Sequence, residues 1–268
     1  MSVTIHSTAL VSPQAEVEDG VVIGPYCIVG DRVHIGRETV LEAYVRILDY
    51  VELGAECHVF ENAILGREPQ DHGFKGEESW VRIGNSVTLR ENVTIHRASG
   101  EGAVTSVGDG CFIMEGVHLG HNVHIGKGVT IANKAGLAGY VSIDDGTVIG
   151  GIAGIHQFVR VGRYCMIGGL SKIVKDVPPF LLVDGHPASV HGINQVGLKR
   201  AGFSSHDRME IKRLYHNLYH SGLPFRSAAE NIETENNPNA AEVVAFIRQA
   251  KRGISPWPRE IRREDDDH

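Results

Sequence analysis

Large aliphatic side chains recur at every sixth position from Ile5 to Ile173. The register breaks only after Leu65 and after Ile95, and it resumes in phase 18 and 12 residues later. Such a period is typical of a hexapeptide-repeat solenoid, in which each six-residue unit forms a short strand and a turn and three units close one triangular coil. A sandwich of β-hairpins would instead show a period of two, so we expect a mainly β protein built as a parallel β-helix.

Two further positions of each unit carry small side chains. The residue directly after the aliphatic is often Gly, and we expect that Gly to supply turn geometry that other residues find costly. The residue four after the aliphatic is small, and this position holds all four cysteines: Cys27, Cys57, Cys111 and Cys165. We therefore expect the cysteines to face inward as fillers, and not to form a disulfide framework or a metal site.

The repeat predicts a β-helix over residues 1–190, with loop insertions near 66–80 and 97–106. After Ile173 the register ends at Lys175-Asp176-Val177-Pro178-Pro179, because paired prolines cannot continue the ladder of a coil.

The chain beyond the repeat changes character. Residues 180–200 are interpreted as a connecting extension. Helical spacing of apolar residues predicts helices over Asp207–His220 and Ala240–Lys251. We expect residues 191–268 to form a small α-helical C-terminal domain that finishes in a solvated tail from Arg262.

Composition narrows the class of protein. Only 6% of the 268 residues are aromatic, which suits a narrow interior. No segment approaches ~18 consecutive apolar residues, and the N-terminus lacks a basic stretch followed by an apolar one, so we expect a cytoplasmic protein without a transmembrane segment. The net charge of -7 disfavours nonspecific nucleic-acid binding.

Histidines break the repeat, and function in a repeat scaffold is expected where its rule is broken. Positions that usually hold a small residue are occupied by Phe60, Arg90, His96, Met114 and His156. A second group comprises His118, His121 and His124.

Spacing alone places some of these histidines. With three units per coil, residues 18 apart stack on the same face, which gives two columns: His121 over Gly139 and Gln157, and His118 over Gly136 and Gly154. The result is a groove floored by glycine beside two imidazoles, whereas His124 is expected to point to the following face. A zinc site that uses three imidazoles is an alternative.

Five motifs carry a family resemblance: Asn92-Val93-Thr94-Ile95-His96-Arg97, the pair His118 and His121, Ile155-His156-Gln157-Phe158, Asp176-Val177-Pro178-Pro179, and Gly197-Leu198-Lys199-Arg200-Ala201-Gly202-Phe203. With them the chain resembles, over essentially its whole length, the acyl carrier protein-dependent UDP-N-acetylglucosamine O-acyltransferases of lipid A biosynthesis. The resemblance implies a left-handed β-helix and a homotrimer with its site between neighbouring solenoids.

The implied reaction is the first step of lipid A biosynthesis. A 3-hydroxyacyl group passes from acyl carrier protein to the glucosamine 3-hydroxyl of UDP-N-acetylglucosamine, without a cofactor or metal. The resemblance implies that His121 is the general base and that the backbone N–H of Gly139 is the oxyanion donor.

Further roles follow from the same resemblance. It implies substrate contacts at Asp71, His118, Tyr140, His156, Gln157, Asn194 and Arg200. The acyl groove is expected near Met166, Gly169 and Leu170. A basic junction that would steer the acidic carrier comprises Lys199, Arg200, Arg208, Lys212 and Arg213.

Four positions depart from the family's pattern. Asn122 replaces the aspartate that orients the base, and Tyr140 replaces a histidine. Gly73 stands at a loop lysine position, with Lys75 as a stand-in, and Val196 replaces a glutamate. These departures leave several alternatives open: a 3-amino UDP-sugar acceptor, a related N-acyltransferase, a zinc-dependent γ-type carbonic anhydrase-like solenoid, and a non-catalytic binding solenoid.

Overall fold

The computed structural model describes residues 2–258, so the predicted tail from Arg262 lies outside the described residues. Most strands are two residues long. The strands of the first half of the solenoid are β1 Thr4–Ile5, β2 Leu10–Val11, β3 Glu16–Val17, β4 Val22–Ile23, β5 Ile28–Val29, β6 Val33–Ile35, β7 Val40–Leu41, β8 Arg46–Ile47, β9 Val51–Leu53, β10 His58–Val59, β11 Ile64–Arg67, β12 Trp80–Ile83, β13 Thr88–Leu89 and β14 Thr94–His96.

The remaining strands are β15 Val104–Val107, β16 Phe112–Ile113, β17 His118–Leu119, β18 His124–Ile125, β19 Thr130–Ile131, β20 Gly136–Leu137, β21 Ser142–Ile143, β22 Val148–Ile149, β23 Gly154–Ile155, β24 Arg160–Val161, β25 Met166–Ile167, β26 Lys172–Ile173, β27 Leu181–Gly185 and β28 Ala188–Ile193. The helices are α1 Gln195–Arg200, α2 Ser205–His220, α3 Phe225–Glu230 and α4 Pro238–Gln249. The two interruptions of the six-residue register are the loops between β11 and β12 and between β14 and β15.

Three parallel sheets form the walls of the solenoid, and each solenoid strand pairs with the third strand after it. The sheets contain eleven, nine and eight strands; β27 and β28 close the first, and the nine-stranded sheet runs from β2 to β26. Without an insertion the register is 18 residues, as in the pairing of His118 with Gly136 and of Gly136 with Gly154. The predicted coil of three units is therefore confirmed.

The repeated aliphatics fill the interior. From Ile23 to Ile173 each of them is at most 4% exposed, whereas Ile5 in the first coil is 48% exposed because no coil precedes it. The four cysteines are buried and free, as predicted. Burial raises the pKa of Cys111 to about 11, since a thiolate would lose its hydration there.

The glycines after the aliphatics have a different physical reason from the one expected. Gly36, Gly54, Gly84, Gly108 and Gly126 stack at one corner, and none of them has a positive φ. A Cβ on Gly108 would lie 2.7 Å from the carbonyl carbon and oxygen of Gly126. The expectation of turn geometry is therefore wrong for these five glycines, because the close approach of successive coils is what excludes a side chain. It holds for Gly66, whose φ is +85°.

The backbone conformation with positive φ occurs two residues after these glycines in each unit, as at Gly128 after Gly126. This slot contains glycines such as Gly128, but also Tyr26, Asn122, Tyr140 and Phe158, whose φ lies between 57° and 67°.

 Each of these four side chains is more strained in this conformation than glycine would be. The slot turns the chain at a corner and projects Asn122 and Tyr140 beside the histidine cluster.

The C-terminal part differs from the predicted connecting extension. Within residues 180–200, β27 continues the solenoid by pairing in parallel with β25, β28 folds back on it in antiparallel fashion, and α1 follows. The interpretation as a connecting extension did not include these strands, because short strands beside prolines carry little periodic signal. The division at 190/191 stays a prediction.

The two predicted helices are present as α2 and α4, and α3 is an additional short helix. Ser204 and Asp207 form a capping box at the start of α2. Two contacts fasten the helices to the solenoid: the Tyr215 hydroxyl donates to the Pro179 carbonyl at 2.7 Å, and Arg163 pairs with Glu242 at 2.6 Å. None of the helices in residues 2–258 combines the length and the apolar character that a membrane span requires.

Replacement of the stacked glycines should separate coil contact from backbone conformation. We expect Gly108→Ala to lower the free energy of unfolding by about 3 kcal/mol, because its Cβ would press on the backbone of the next coil. Gly128→Ala is the matched control: its φ is +61° with open space around it, so we expect a loss of about 1–2 kcal/mol. Urea unfolding midpoints measure both, and a larger loss for Gly128→Ala would contradict the coil-contact explanation.

Candidate functional site

A groove of about 570 Å³ lies on the outer face of the nine-stranded sheet. Its floor is formed by Gly136 and Gly154, which pair in register with His118 on one side and Lys172 on the other. Five of the predicted site residues line this groove: His118, His121, Gly139, His156 and Gln157. The sequence-derived picture of a glycine floor beside imidazoles is therefore what the structure contains.

His121 is buried and held by the amide of Asn122. Its Nδ1 lies 2.9 Å from Asn122 Oδ1. The amide orientation is set by Ser99, whose N–H donates to Oδ1 at 2.9 Å and whose carbonyl accepts from Nδ2 at 3.1 Å. Since Oδ1 can only accept, the His121 hydrogen resides on Nδ1, and Nε2 carries the lone pair.

The His121 ring lies over Gly139. A Cβ placed on Gly139 would lie 2.5 Å from His121 Nε2, so only glycine leaves room for the ring. At equivalent corners the backbone N–H is capped by a carboxylate, as for Asp31 by Asp49 and for Lys127 by Asp145. Within residues 2–258 the Gly139 N–H meets no such acceptor, which leaves it available to a ligand.

Tyr140 packs against the His121 ring. Its ring meets the His121 ring edge-on at 5.1 Å between centroids and stacks on Phe158 at 4.9 Å. The contact packs against the imidazole, and it is apolar rather than charged.

Two further histidines extend the polar wall. His118 Nδ1 lies 2.8 Å from the Thr94 hydroxyl oxygen, and His96 Nδ1 donates to the Glu68 carbonyl at 2.5 Å. Burial lowers the pKa of both His96 and His118, because the charged ring would be poorly hydrated. Both rings are therefore available as neutral hydrogen-bonding groups near neutral pH.

The loop between β11 and β12 brings an acidic residue to this wall. Asp71 accepts from the Gly73 N–H at 2.8 Å, and this bond, together with Ser99 and the His121 ring, lowers the pKa of its carboxyl. The guanidinium of Arg97 lies 5.1 Å from the Phe74 ring centroid and 5.0 Å from that of Tyr50, which ties the loop to the solenoid.

Several predicted residues lie elsewhere in the chain. Asn194 caps α1: its Oδ1 accepts from the Gly197 N–H at 3.0 Å, and its Nδ2 donates to the Tyr164 carbonyl at 2.9 Å. Arg200 is exposed at the last turn of α1. Met166 lies on the eleven-stranded sheet, and neither it nor Gly169 nor Leu170 lines the groove. Their roles stay predictions.

Sequence reasoning left three groove residues with polar side chains without a role: Gln70, His96 and Lys172. His96 had been noticed as a break in the repeat, and the 18-residue spacing from Gly154 identifies Lys172. Gln70 lies on the inserted loop, where the repeat gives no register. His124 lies on the eight-stranded sheet, away from the groove.

The histidines of the groove could in principle ligate a metal ion if enough of them converged. Among residues 2–258, no group of three or more His, Cys, Asp and Glu side chains is arranged to hold a metal ion.

Comparison with known families and relatives gives a consistent result. Residues 176–255 match a family profile described as UDP N-acetylglucosamine O-acyltransferase, domain 2, and residues 105–139 match the bacterial transferase hexapeptide repeat. A relative from Thermodesulfovibrio yellowstonii is 48% identical over 253 residues, covering 93% of this chain and 98% of the relative. One from Syntrophobacter fumaroxidans is 41% identical over 93% of this chain and 98% of the relative. Both are named acyl-(acyl-carrier-protein)–UDP-N-acetylglucosamine O-acyltransferases.

Solved structures agree with these sequence matches. The UDP-N-acetylglucosamine acyltransferase of Francisella novicida superposes with a TM-score of 0.93 at 38% identity, covering 95% of each chain. The LpxA structure from Acinetobacter baumannii gives 0.90 at 36% identity, covering 94% of this chain and 99% of that one. The predicted fold class, a left-handed parallel β-helix with a small helical C-terminal part, is thereby confirmed. The chain belongs to the family of acyl carrier protein-dependent UDP-N-acetylglucosamine O-acyltransferases.

Proposed function

We propose that this protein transfers a 3-hydroxyacyl group from acyl carrier protein to the glucosamine 3-hydroxyl of UDP-N-acetylglucosamine, the first step of lipid A biosynthesis, with His121 as the general base. Family membership supports the reaction. The observation that carries the mechanism is the placement of the His121 ring over Gly139, inside a groove with an uncapped backbone N–H.

The proposed reaction uses two groups of the protein, the His121 imidazole and the Gly139 N–H. Nε2 of His121 removes the proton of the sugar hydroxyl while the hydroxyl oxygen attacks the thioester carbonyl. The Gly139 N–H donates to the resulting oxyanion, a contact worth about 3 kcal/mol in other acyl-transfer enzymes. Collapse of the intermediate breaks the C–S bond, and the imidazolium returns its proton to the departing thiolate.

Asn122 supplies part of what a carboxylate would supply. Its Oδ1 fixes the tautomer and the ring orientation of His121. It carries no charge, so the forming imidazolium gains a dipole instead of an ion pair. Asp71, whose lowered pKa keeps it ionised, provides a negative charge from the loop side.

A homotrimer is part of the proposal. Asn194 contacts Tyr164 at a corner of the solenoid that does not border the groove. If Asn194, Arg200 and the groove residues contact one substrate, they must come from neighbouring copies of the chain. This arrangement would enclose a sugar nucleotide that one open groove leaves exposed.

The carrier is proposed to dock near the helical region. Lys199 and Arg200 are exposed at the end of α1, and Lys212 is exposed on α2. Arg208 donates to the Phe203 carbonyl, and Arg213 pairs with Glu210, so these two are already engaged. The first three are therefore the better candidates for steering an acidic carrier. A cytoplasmic location stays a prediction.

A 3-amino UDP-sugar is a second candidate acceptor. The observation that favours it is the neutral Asn122, because an amine is the better nucleophile and requires less help from the base.

His121→Ala tests the base. We expect kcat to fall by about 10²–10⁴-fold with the fold intact, because the proposed base is the ring that lies over Gly139. His124→Ala is the matched control, since His124 lies outside the groove. The rate of acyl transfer from 3-hydroxyacyl carriers is measured for both variants. If His121→Ala keeps kcat within a few-fold of the parent, His121 is not the general base.

Matched UDP-sugars with a 3-hydroxyl or a 3-amino group test the acceptor. If the second candidate is right, the amine is acylated with the larger kcat/KM. Rejection of the amine, together with transfer to the hydroxyl, eliminates it.

The neutral histidines predict a pH dependence of stability. Since the folded pKa of His96 and His118 is lowered, the unfolded chain binds more protons once the pH falls below about 6.5, and stability is lost in that direction. We expect the double variant His96→Gln, His118→Gln to flatten this loss between about pH 6.5 and 5, measured by urea unfolding. His206→Gln, on exposed α2 surface, is the control. An unchanged slope in the double variant would contradict the explanation.

A further inference from the structure

A short segment near the end of the described chain returns to the last coil of the solenoid. Residues 251–256, the C-terminal strap, run beside Asp176: the Asp176 N–H donates to the Gly253 carbonyl at 2.9 Å, and the Ser255 N–H donates to the Asp176 carbonyl at 2.9 Å. The buried Asp176 carboxylate also accepts from the backbone N–H groups of Lys251 at 3.1 Å and Arg252 at 3.3 Å. The strap is therefore fixed next to the groove by a buried charge.

Arg252 extends from the strap to the groove. Its Nη2 lies 3.3 Å from His156 Nδ1 and 3.5 Å from the Val174 carbonyl oxygen, and both His156 and Val174 line the groove. Its Nε is buried and has no hydrogen-bond partner. In the described part of the chain, no carboxylate forms an ion pair with this guanidinium. A half-buried cation with a buried, unused Nε donor at the end of a groove is suited to an anionic ligand.

The contact between Arg252 and His156 determines which ring nitrogen of His156 can donate to a ligand. His156 Nδ1 lies 3.1 Å from the Gln157 carbonyl and 3.3 Å from Arg252, and it cannot donate to the first while accepting from the second. When Arg252 donates to Nδ1, the ring hydrogen is on Nε2. Lys172, exposed at the same end of the groove, adds a third donor.

The position along the groove suits a phosphate close to the reacting sugar. His156 belongs to the coil two steps beyond that of His121, and coils are spaced by about 4.8 Å, so the two rows are about 10 Å apart. The phosphates of a sugar nucleotide are attached directly to the sugar that His121 would deprotonate.

We propose that Arg252 binds a phosphate group of a substrate and positions His156 as a second donor to it. The inference rests on the proposed acyl transfer and assigns a specific role to the C-terminal strap. The phosphate comes from one of two sources: the diphosphate of the UDP-sugar or the phosphodiester of the carrier's pantetheine arm.

Arg252→Gln tests the proposal in the full-length protein. We expect the affected substrate's KM to rise about ten- to 100-fold while kcat falls less, since one charge-assisted contact is lost. Arg252→Lys should recover part of the loss, and Lys251→Gln, an exposed neighbour in the strap, should behave as the parent. Nitrogen NMR of His156 should show a loss of the Nε2–H tautomer in Arg252→Gln.

Separate titrations distinguish the sources and the proposals. A weaker calorimetric affinity for UDP, with a higher KM for the UDP-sugar, identifies the diphosphate; a higher KM for the acyl carrier alone identifies the phosphodiester. Unchanged KM values for both substrates and an unchanged His156 tautomer would overturn the role of Arg252, even if the parent is active. A parent that binds no UDP-sugar and transfers no acyl group would instead defeat the proposed function.

Discussion

The close stacking of successive coils is the constraint on which this structure depends. Each solenoid strand makes its main-chain hydrogen bonds with the coils before and after it, so a coil is stable only beside its neighbours. At one corner the approach is close enough that Gly36, Gly54, Gly84, Gly108 and Gly126 each lack room for a Cβ. The interior aliphatics then bury almost completely, and the inward cysteines keep their protons because no water reaches them.

The same stacking constructs the site. A residue on one coil lies directly over the residue 18 positions later, so the His121 ring is placed over Gly139 by the repeat itself. Nothing in the repeat determines the protonation of that ring. Asn122, in the left-handed corner position, bonds both to His121 and to the Ser99 backbone, and this pair of contacts puts the lone pair on the nitrogen that faces the groove.

Segments that leave the repeat complete the groove. The inserted loop brings Asp71 to the histidine wall, and the Arg97 guanidinium, between the Phe74 and Tyr50 rings, fastens that loop. At the opposite end, the buried Asp176 carboxylate holds the C-terminal strap and with it Arg252. Both additions put charge beside a groove whose floor is glycine.

The sequence by itself determined the coil, its register, the inward cysteines and the stacking of His118 and His121 over glycines, because a fixed period of six translates directly into position. It also identified the family, through motifs in the right order. It misjudged the reason for the corner glycines, and it missed the β27–β28 hairpin, since neither the distance between coils nor short non-periodic strands are visible in a pattern. Only the tertiary structure decided the tautomer of His121 and the contact of Arg252 with His156, because each depends on atoms that are distant in the chain and that no repeat relates.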